Sequence, residues 1–380
     1  MKIRAAVLDR MGAALPYAES RPLRIAEVEL DPPGRGEVLV RVAAAGLCHS
    51  DLSVINGDRP RPMPMALGHE AAGVVEALGE DVTDLSRGDH VVMVFVPSCG
   101  HCVPCAEGRP ALCEPGAAAN AAGTLLSGGR RLRCDGPNGT TGVNHHLGCS
   151  AFAERAVVSR RSLVKLPPDL PLDEAALFGC AVLTGVGAVV NTARLQPGQT
   201  AAVIGLGGVG LSSVLGAVAS GAAQVVAVDL SGDKLGLARQ LGATHTVNAR
   251  DADAAEQVRD ATGGGVDFAF EMAGAVRAME LAWKVTRRGG TTVTAGLPPP
   301  GAALALPLVQ LVAEERTVRG SYVGACVPAR DIPRYVALYR AGKLPVDRLM
   351  SGTLTLDAIN EGFDRLHEGK AVRQVIEFPA

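Results

Sequence analysis

The sequence predicts an α/β protein with two parts, one β-rich and one a doubly wound parallel sheet, and three observations carry that expectation. Short strands separated by turn signals fill the first 180 or so residues. From about Leu183 to Tyr322 strands alternate with helical stretches, the texture of a parallel sheet covered on both faces. A glycine-rich turn, Gly205-Leu-Gly207-Gly208-Val209-Gly210, joins one of those strands to the helix after it.

Taken in order, IRAAVLD, EVLVRVAAAG, AAGVVEALG, DHVVMVFV and FAERAVVS read as strands punctuated by Gly-Asp, Pro-Pro and Asn-Gly elements. Such a run suits an antiparallel, partly barrel-like domain. Between about Glu114 and Thr141 the chain is rich in Gly, Ala and Asn without periodicity, so a long surface loop is expected there. Thr200 to Val228 carries no charged residue and is long enough to span a bilayer. Its periodicity changes inside, however. TAAVIG is a short strand, LGGVG a turn, GLSSVLGAVASG a buried helix, and QVVAVD a second strand ending on an acid. That is a βαβ unit rather than a membrane span. KLGLARQLGA, VDFAFEMAG and GGTTVTAG continue the alternation, after which DIPRYVALYRAG reads as helix and RQVIEF as a closing strand.

Composition narrows the function. Hydrophobic residues make up 47% of the 380 and charged residues 20%, so a sizeable core is available and global disorder is excluded. The net charge of −2 and the 3% aromatic content argue against a nucleic-acid partner. MKIRAAVLDR has no apolar stretch of signal length, and nine cysteines in an enzyme-sized chain do not look like a secreted disulfide scaffold. A cytoplasmic, reduced protein with thiols available to metals is expected, with no membrane partner.

Four of those cysteines, Cys99, Cys102, Cys105 and Cys113, follow the spacing C-x2-C-x2-C-x7-C. Thiolates at tetrahedral reach favour zinc, or less often iron–sulfur. Four protein ligands leave no open coordination position, so this knuckle is expected to staple a loop and do no chemistry. A second set is dispersed: Cys48 in GLCHSD, His69 in GHE and Cys180 in FGC. Alone, each such residue is more often packed than metal-bound. Together, two thiolates and one imidazole match an open zinc site with a fourth position for water or substrate. Asp51 is placed to orient the His69 imidazole, and Glu70 to lie behind the metal. In the third motif, glycines let backbone amides and a helix N-terminus approach a pyrophosphate. Asp229 closes the next strand nineteen residues beyond Gly210. A carboxylate there accepts from ribose hydroxyls and repels a 2′-phosphate, which favours NAD over NADP.

The stretch GHEAAGVVEALGEDV fits a known zinc signature at Gly68, His69, Glu70, Gly73, Gly79 and Val82, followed by the knuckle and then GLGGVG. On these motifs the chain resembles the zinc-dependent medium-chain alcohol dehydrogenases over nearly its whole length, in their long-loop dimeric form. The resemblance implies a GroES-like catalytic domain, residues 1–182 and 323–380, and a Rossmann coenzyme domain, residues 183–322. It implies two zinc ions per chain, a catalytic one on Cys48, His69 and Cys180 and a structural one on the knuckle. Ser50 begins the proton relay in that family, beside Asp51 and Glu70. Thr184 and Val209 match positions that press on the nicotinamide ring, Lys234 one on the adenosine ribose, and His49 and Arg373 ones at the pyrophosphate. Phe95, His146, Leu147 and Ala295 match substrate-pocket positions, with Arg59 at the rim. The implied activity is hydride exchange between a small alcohol and NAD, in a homodimer joined through coenzyme-domain strands near VRGSYVG.

Departures from the pattern are informative. Ser53 stands where many relatives end the relay with histidine, so the last proton step is expected to pass through water. His49 replaces an arginine that grips the pyrophosphate in several relatives, which implies weaker coenzyme binding. Thiol-dependent formaldehyde dehydrogenases carry an arginine shortly after the knuckle, but here Glu114, Pro115, Gly116 and Ala117 follow. A thiol-adduct dehydrogenase is the alternative enzyme, and a dinucleotide-binding scaffold the alternative outside enzymes. Cys134, Cys149 and Cys326 receive no role.

Overall fold

The computed structural model describes residues 1–136 and 139–379. They form two compact units. The first comprises Met1–Cys180, Val327–Pro333 and Met350–Ala380, and the second Ala181–Cys326 and Arg334–Leu349. Residues 334–349 thus group with the parallel sheet, whereas the sequence boundaries assign them to the other domain. Position 380 lies outside the described residues.

In the first unit the strand Leu23–Leu30 buries Leu23, Ala26, Val28 and Leu30 and exposes the charged residues between them, the alternation of a sheet with one wet face. It pairs antiparallel with Lys2–Leu8 and Leu132–Gly136, which close a barrel with Gly139–His145 and Met65–Ala66. Val7, Val28, Leu30, Leu39, Leu125 and Val143 fill its interior. Each such side chain contributes roughly 1.5–3 kcal/mol by leaving water. A second sheet runs Leu163–Lys165, His90–Met93, Glu70–Leu78, Glu37–Gly46, Gln374–Glu377 and Gly352–Leu354, with Arg155–Ser159 also paired to Glu37–Gly46. Its pairing of Val375 with Gly46 carries the end of the chain to the segment that holds Cys48.

The loop expected between Glu114 and Thr141 is largely ordered structure. Glu114–Ala122 is a helix, and Leu132–Gly136 and Gly139–His145 are paired strands of the barrel; residues 137–138 lie outside the described residues. The helix has a physical origin that periodicity misses. Its alanines are strong helix formers without a sidedness, Pro115 suits the first turn, and the Cys113 sulfur accepts from Gly116 N at the N-terminus.

His145 ends the second of those strands fully buried, with Nε2 accepting from Arg131 N at 3.0 Å. Burial pushes its imidazole down to about 4. The unfolded chain, with an ordinary histidine near 6.5, takes up this proton first as pH falls. Stability from this group is therefore complete above pH ~6.5 and is lost between ~6.5 and ~4, by about 3 kcal/mol. His145→Gln keeps an acceptor for Arg131 and is expected to flatten urea-unfolding free energy over that window. An unchanged slope would contradict this.

The second unit holds a six-stranded, wholly parallel sheet in the order His245–Asn248, Gln224–Asp229, Thr200–Ile204, Val266–Glu271, Thr286–Thr294 and Thr317–Gly320. Numbered along the chain, that is 3-2-1-4-5-6, the doubly wound order whose direction reverses beside Thr200–Ile204. The uncharged segment folds as strand Thr200–Ile204, helix Gly208–Ala219 and strand Gln224–Asp229. Among the described residues no single helix is long and apolar enough to cross a membrane.

Candidate active site

Cys48 is the N-cap of the helix His49–Ile55, and Asp51 lies in that helix's first turn, fully buried. His69 sits between the strands Met65–Ala66 and Glu70–Leu78. Gly68 makes that turn at φ +93, where a Cβ would collide with the Phe152 backbone. The turn points Gly68 N and His69 Nδ1 at one oxygen, Asp51 Oδ1, each at 3.1 Å. Cys180 Sγ lies 3.5 Å from His69 Nε2, and one ligand atom from each of Cys48, His69 and Cys180 lies within 4.8 Å of the others.

Charge in this cluster is held by close partners. Burial pushes the His69 imidazole down, but Asp51 and Cys48 outweigh it and hold it well above its ordinary value. The S–H of Cys180 donated to the Cys48 sulfur holds Cys48 well below the usual thiol range, with the Arg373 and His69 charges adding, and holds Cys180 well above it. The donor set fits zinc: two soft sulfurs, and an imidazole whose Nδ1 is committed to a carboxylate so that Nε2 is free to ligate. Phe95 packs edge-on to His69 with ring centroids 5.2 Å apart. Ser50 is half-buried in the first turn of its helix, and His49 is exposed. Arg59 is half-buried after the helix, its N–H bonded to Ser53 O at 2.8 Å.

The knuckle also assembles. The sulfurs of Cys99, Cys102, Cys105 and Cys113 all lie within 4.8 Å of one another, near the ~3.8 Å spacing of a tetrahedral tetrathiolate. Backbone N–H groups point at them: Cys99 N to Cys113 Sγ at 3.1 Å and Cys102 N to Cys99 Sγ at 3.3 Å. The His101 N–H bond is the main reason that the Cys99 thiol is pulled down to about 6.

In the second unit Gly207 caps the helix Gly208–Ala219, and Leu206 N donates to Asp229 Oδ2 at 2.6 Å. Gly210 has no room for a side chain, because a Cβ would overlap the Gly205 carbonyl oxygen. Gly205, Gly207 and Val209 stay partly open to solvent, while Gly208 and Gly210 are buried.

One family model, described as an alcohol dehydrogenase GroES-like domain, matches residues 34–168, and another, described as a zinc-binding dehydrogenase, matches residues 208–341. An alcohol dehydrogenase zinc-binding domain protein from Burkholderia ambifaria is 35% identical, covers 100% of both chains and superposes with a TM-score of 0.93. The chain belongs to the zinc-binding medium-chain dehydrogenases. Benzyl alcohol dehydrogenase from Acinetobacter calcoaceticus is 33% identical, again over 100% of both chains, with a TM-score of 0.92. A protein described as a zinc-binding dehydrogenase from Sinorhizobium meliloti 1021, solved with NADP, is 25% identical over 100% of both chains, with a TM-score of 0.80.

The dehydrogenase places some family positions in company that sequence reasoning missed. His146, expected only as pocket lining, is buried with Nδ1 3.1 Å from Asp51 Oδ1, so the carboxylate oxygen bonded to His69 also lies beside a second imidazole. Burial pushes the Asp51 carboxyl up, but His69 and His146 outweigh it and hold it below the ordinary range. Arg373, expected at a coenzyme phosphate, is 3% exposed. Its Nη1 donates to Leu47 O at 3.0 Å and lies 3.7 Å from Glu70 Oε2. Burial disfavours its charge, yet Glu70 and the thiols of Cys48 and Cys180 outweigh that and raise its pKa. Glu70 therefore reaches the metal site through Arg373. No spacing rule could have found either contact; only the register of Gln374–Glu377 on Glu37–Gly46 creates the second. Leu147 is buried at φ +52 beside His146. Ala295 belongs to the second unit, its N–H bonded to Glu271 O. There too, Thr184 is buried next to Gly185, where a Cβ would overlap the Val209 carbonyl oxygen, and Lys234 is half-buried in the helix Gly232–Gln240.

Proposed function

We propose that this dehydrogenase interconverts alcohols and aldehydes or ketones, with NAD as hydride carrier. The observation that carries the reading is the buried trio Cys48, His69 and Cys180 with Asp51 behind the imidazole. A zinc ion held there supplies Lewis-acid polarisation of the substrate oxygen, and NAD supplies the hydride acceptor. The chain's own groups do the rest. Asp51 holds His69 with Nδ1 protonated and Nε2 directed at the metal position. Arg373 sets a positive charge beside the two sulfurs and favours their thiolate forms. Ser50 Oγ accepts the alcohol proton and passes its own outward. Ser53 Oγ donates to His49 O at 2.8 Å, so the step beyond Ser50 runs through water. A second zinc on the knuckle holds structure only.

The Gly205–Gly210 turn and the N-terminus of Gly208–Ala219 take the pyrophosphate, with His49 as a further contact. Asp229 is held by Leu206 N and Ser231 N, at 2.6 and 2.9 Å, and keeps lone pairs for the ribose hydroxyls. Its charge opposes a 2′-phosphate. Asp229→Asn keeps one acceptor and removes that charge, so the NAD-over-NADP ratio of kcat/KM is expected to fall about tenfold or more. A ratio that stays put would argue that another group sets the preference.

The benzyl alcohol dehydrogenase relative makes aromatic alcohols the first substrates to try. An NAD-coupled panel of primary, secondary, aromatic and carboxylate-bearing alcohols tests the reading, with and without added low-molecular-weight thiol. Turnover that requires the thiol would replace it with the thiol-adduct alternative. The same reading makes the enzyme a homodimer. The edge strand Thr317–Gly320 is exposed along its length, and Leu308, Val309 and Val312 just before it are exposed as well. Light scattering is expected to give twice 39.0 kDa. None of the nine cysteines is paired in a disulfide, which fits a reducing cytoplasm.

A further inference from the structure

We propose that the second unit carries, apart from its glycine turn, a binding site for a small multivalent oxyanion of the phosphate class. A cavity of 730 Å³ is lined by Thr200, the Gly263–Gly265 turn, Trp283 and Lys284 at the end of one helix, and Arg316 just before the last strand. These mark the N-terminal ends of the parallel strands. The glycine turn follows the C-terminal end of Thr200–Ile204, so a strand of 5 residues, roughly 16 Å, separates the two places. A coenzyme pyrophosphate at the glycine turn is not the ligand of this cavity.

Five cationic side chains line it, Arg259, Lys284, Arg287, Arg288 and Arg316, against the two carboxylates Asp267 and Glu314. Each carboxylate faces a guanidinium of the cavity wall. Asp267 accepts from Thr200 N at 2.7 Å, Thr200 Oγ1 at 2.8 Å and Arg287 Nε at 2.9 Å. Glu314 pairs with Arg316 at 2.5 Å. That leaves Arg259, Lys284 and Arg288, all exposed, without a carboxylate partner among the described residues. Arg259 and Arg288 each donate to a single backbone carbonyl, at 3.3 and 3.0 Å.

The cavity wall also holds two buried donors. The Arg316 side chain is 8% exposed, and its guanidinium stacks 4.8 Å from the Trp283 ring centroid. Trp283 is 5% exposed. Arg316 Nε and Trp283 Nε1 nonetheless have no hydrogen-bond partner among the described residues, and neither has Glu314 Oε2 beside them. Buried N–H groups are almost always bonded, so a turn of the Arg316 guanidinium or the Trp283 indole toward an oxyanion in the cavity gains an acceptor that the cavity wall lacks. Three uncompensated cations around them match an anion of charge near −3, and guanidinium and ammonium groups are the usual phosphate donors.

Trp283 is the chain's one tryptophan, so its emission reports on this cavity. Titration of the full chain with pyrophosphate, at constant ionic strength and without coenzyme, is expected to change that emission saturably. Lys284→Gln and Arg288→Gln alter exposed positions remote from the glycine turn, and each is expected to raise the midpoint about tenfold. A response equal in wild type and both variants would place the anion elsewhere and overturn the proposal. So would the absence of a saturable response at millimolar pyrophosphate. Citrate in a parallel titration separates carboxylate from phosphate: a response to citrate alone overturns the phosphate assignment.

Discussion

Cys180→Ala is expected to remove one of two zinc equivalents per chain and to lower kcat/KM for any accepted alcohol by about 10³ or more, roughly 4 kcal/mol. The side chain is buried, and alanine differs from it by one sulfur atom, so the fold is expected to survive. The site is not. Losing that sulfur leaves a thiolate and an imidazole, too few to hold a metal against exchange, and leaves Arg373 facing one anion fewer. Metal analysis beside steady-state kinetics checks both halves. Two retained zinc ions with turnover within tenfold of wild type would remove Cys180 from the metal site and with it the proposed chemistry.

Cys113→Ala is expected to cost stability instead of chemistry. Cys113 is the most buried of the four knuckle thiols, and its sulfur accepts from Cys99 N and Gly116 N at 3.1 and 3.4 Å. Its removal unmakes a closed tetrathiolate and strips the helix Glu114–Ala122 of its N-terminal acceptor at the same time. Metal binding at such sites is folding free energy, so a loss of about 5 kcal/mol or more is expected. In a unit of this size that lowers Tm by about 10 °C or more. Scanning calorimetry of the zinc-loaded variant measures it. A Tm within a few degrees of wild type would show that the knuckle holds itself together by packing. Paired with the first variant, the outcome separates the two metals: Cys180→Ala loses rate with little change in Tm, and Cys113→Ala loses Tm first.

The two motifs most legible in the sequence are local in the chain. Cys99, Cys102, Cys105 and Cys113 are close in sequence and so close in space whatever the rest does, and GLGGVG is one turn between one strand and one helix. Alternation of short apolar strands with helices announced the parallel sheet for the same reason, since each βαβ unit is contiguous. The segment after Glu114 misled because helix propensity without an apolar stripe leaves no periodic mark, and because the strand pairing that closes the barrel has no local signature.

Residue types and spacings alone determined which groups lie together locally: four thiols on a tight knuckle, glycines before a helix, an acid at the next strand's end. They also determined that one cysteine, one histidine and another cysteine were available as an open set. Tertiary structure alone decided how that set is held. Asp51 Oδ1 touches both His69 and His146, and Arg373 is packed on the segment holding Cys48 by a strand from the far end of the chain. Those contacts add a carboxylate behind the imidazole and a guanidinium beside the two sulfurs. They depend on sheet register, which is fixed by the burial of whole faces and not by any residue's neighbours in sequence.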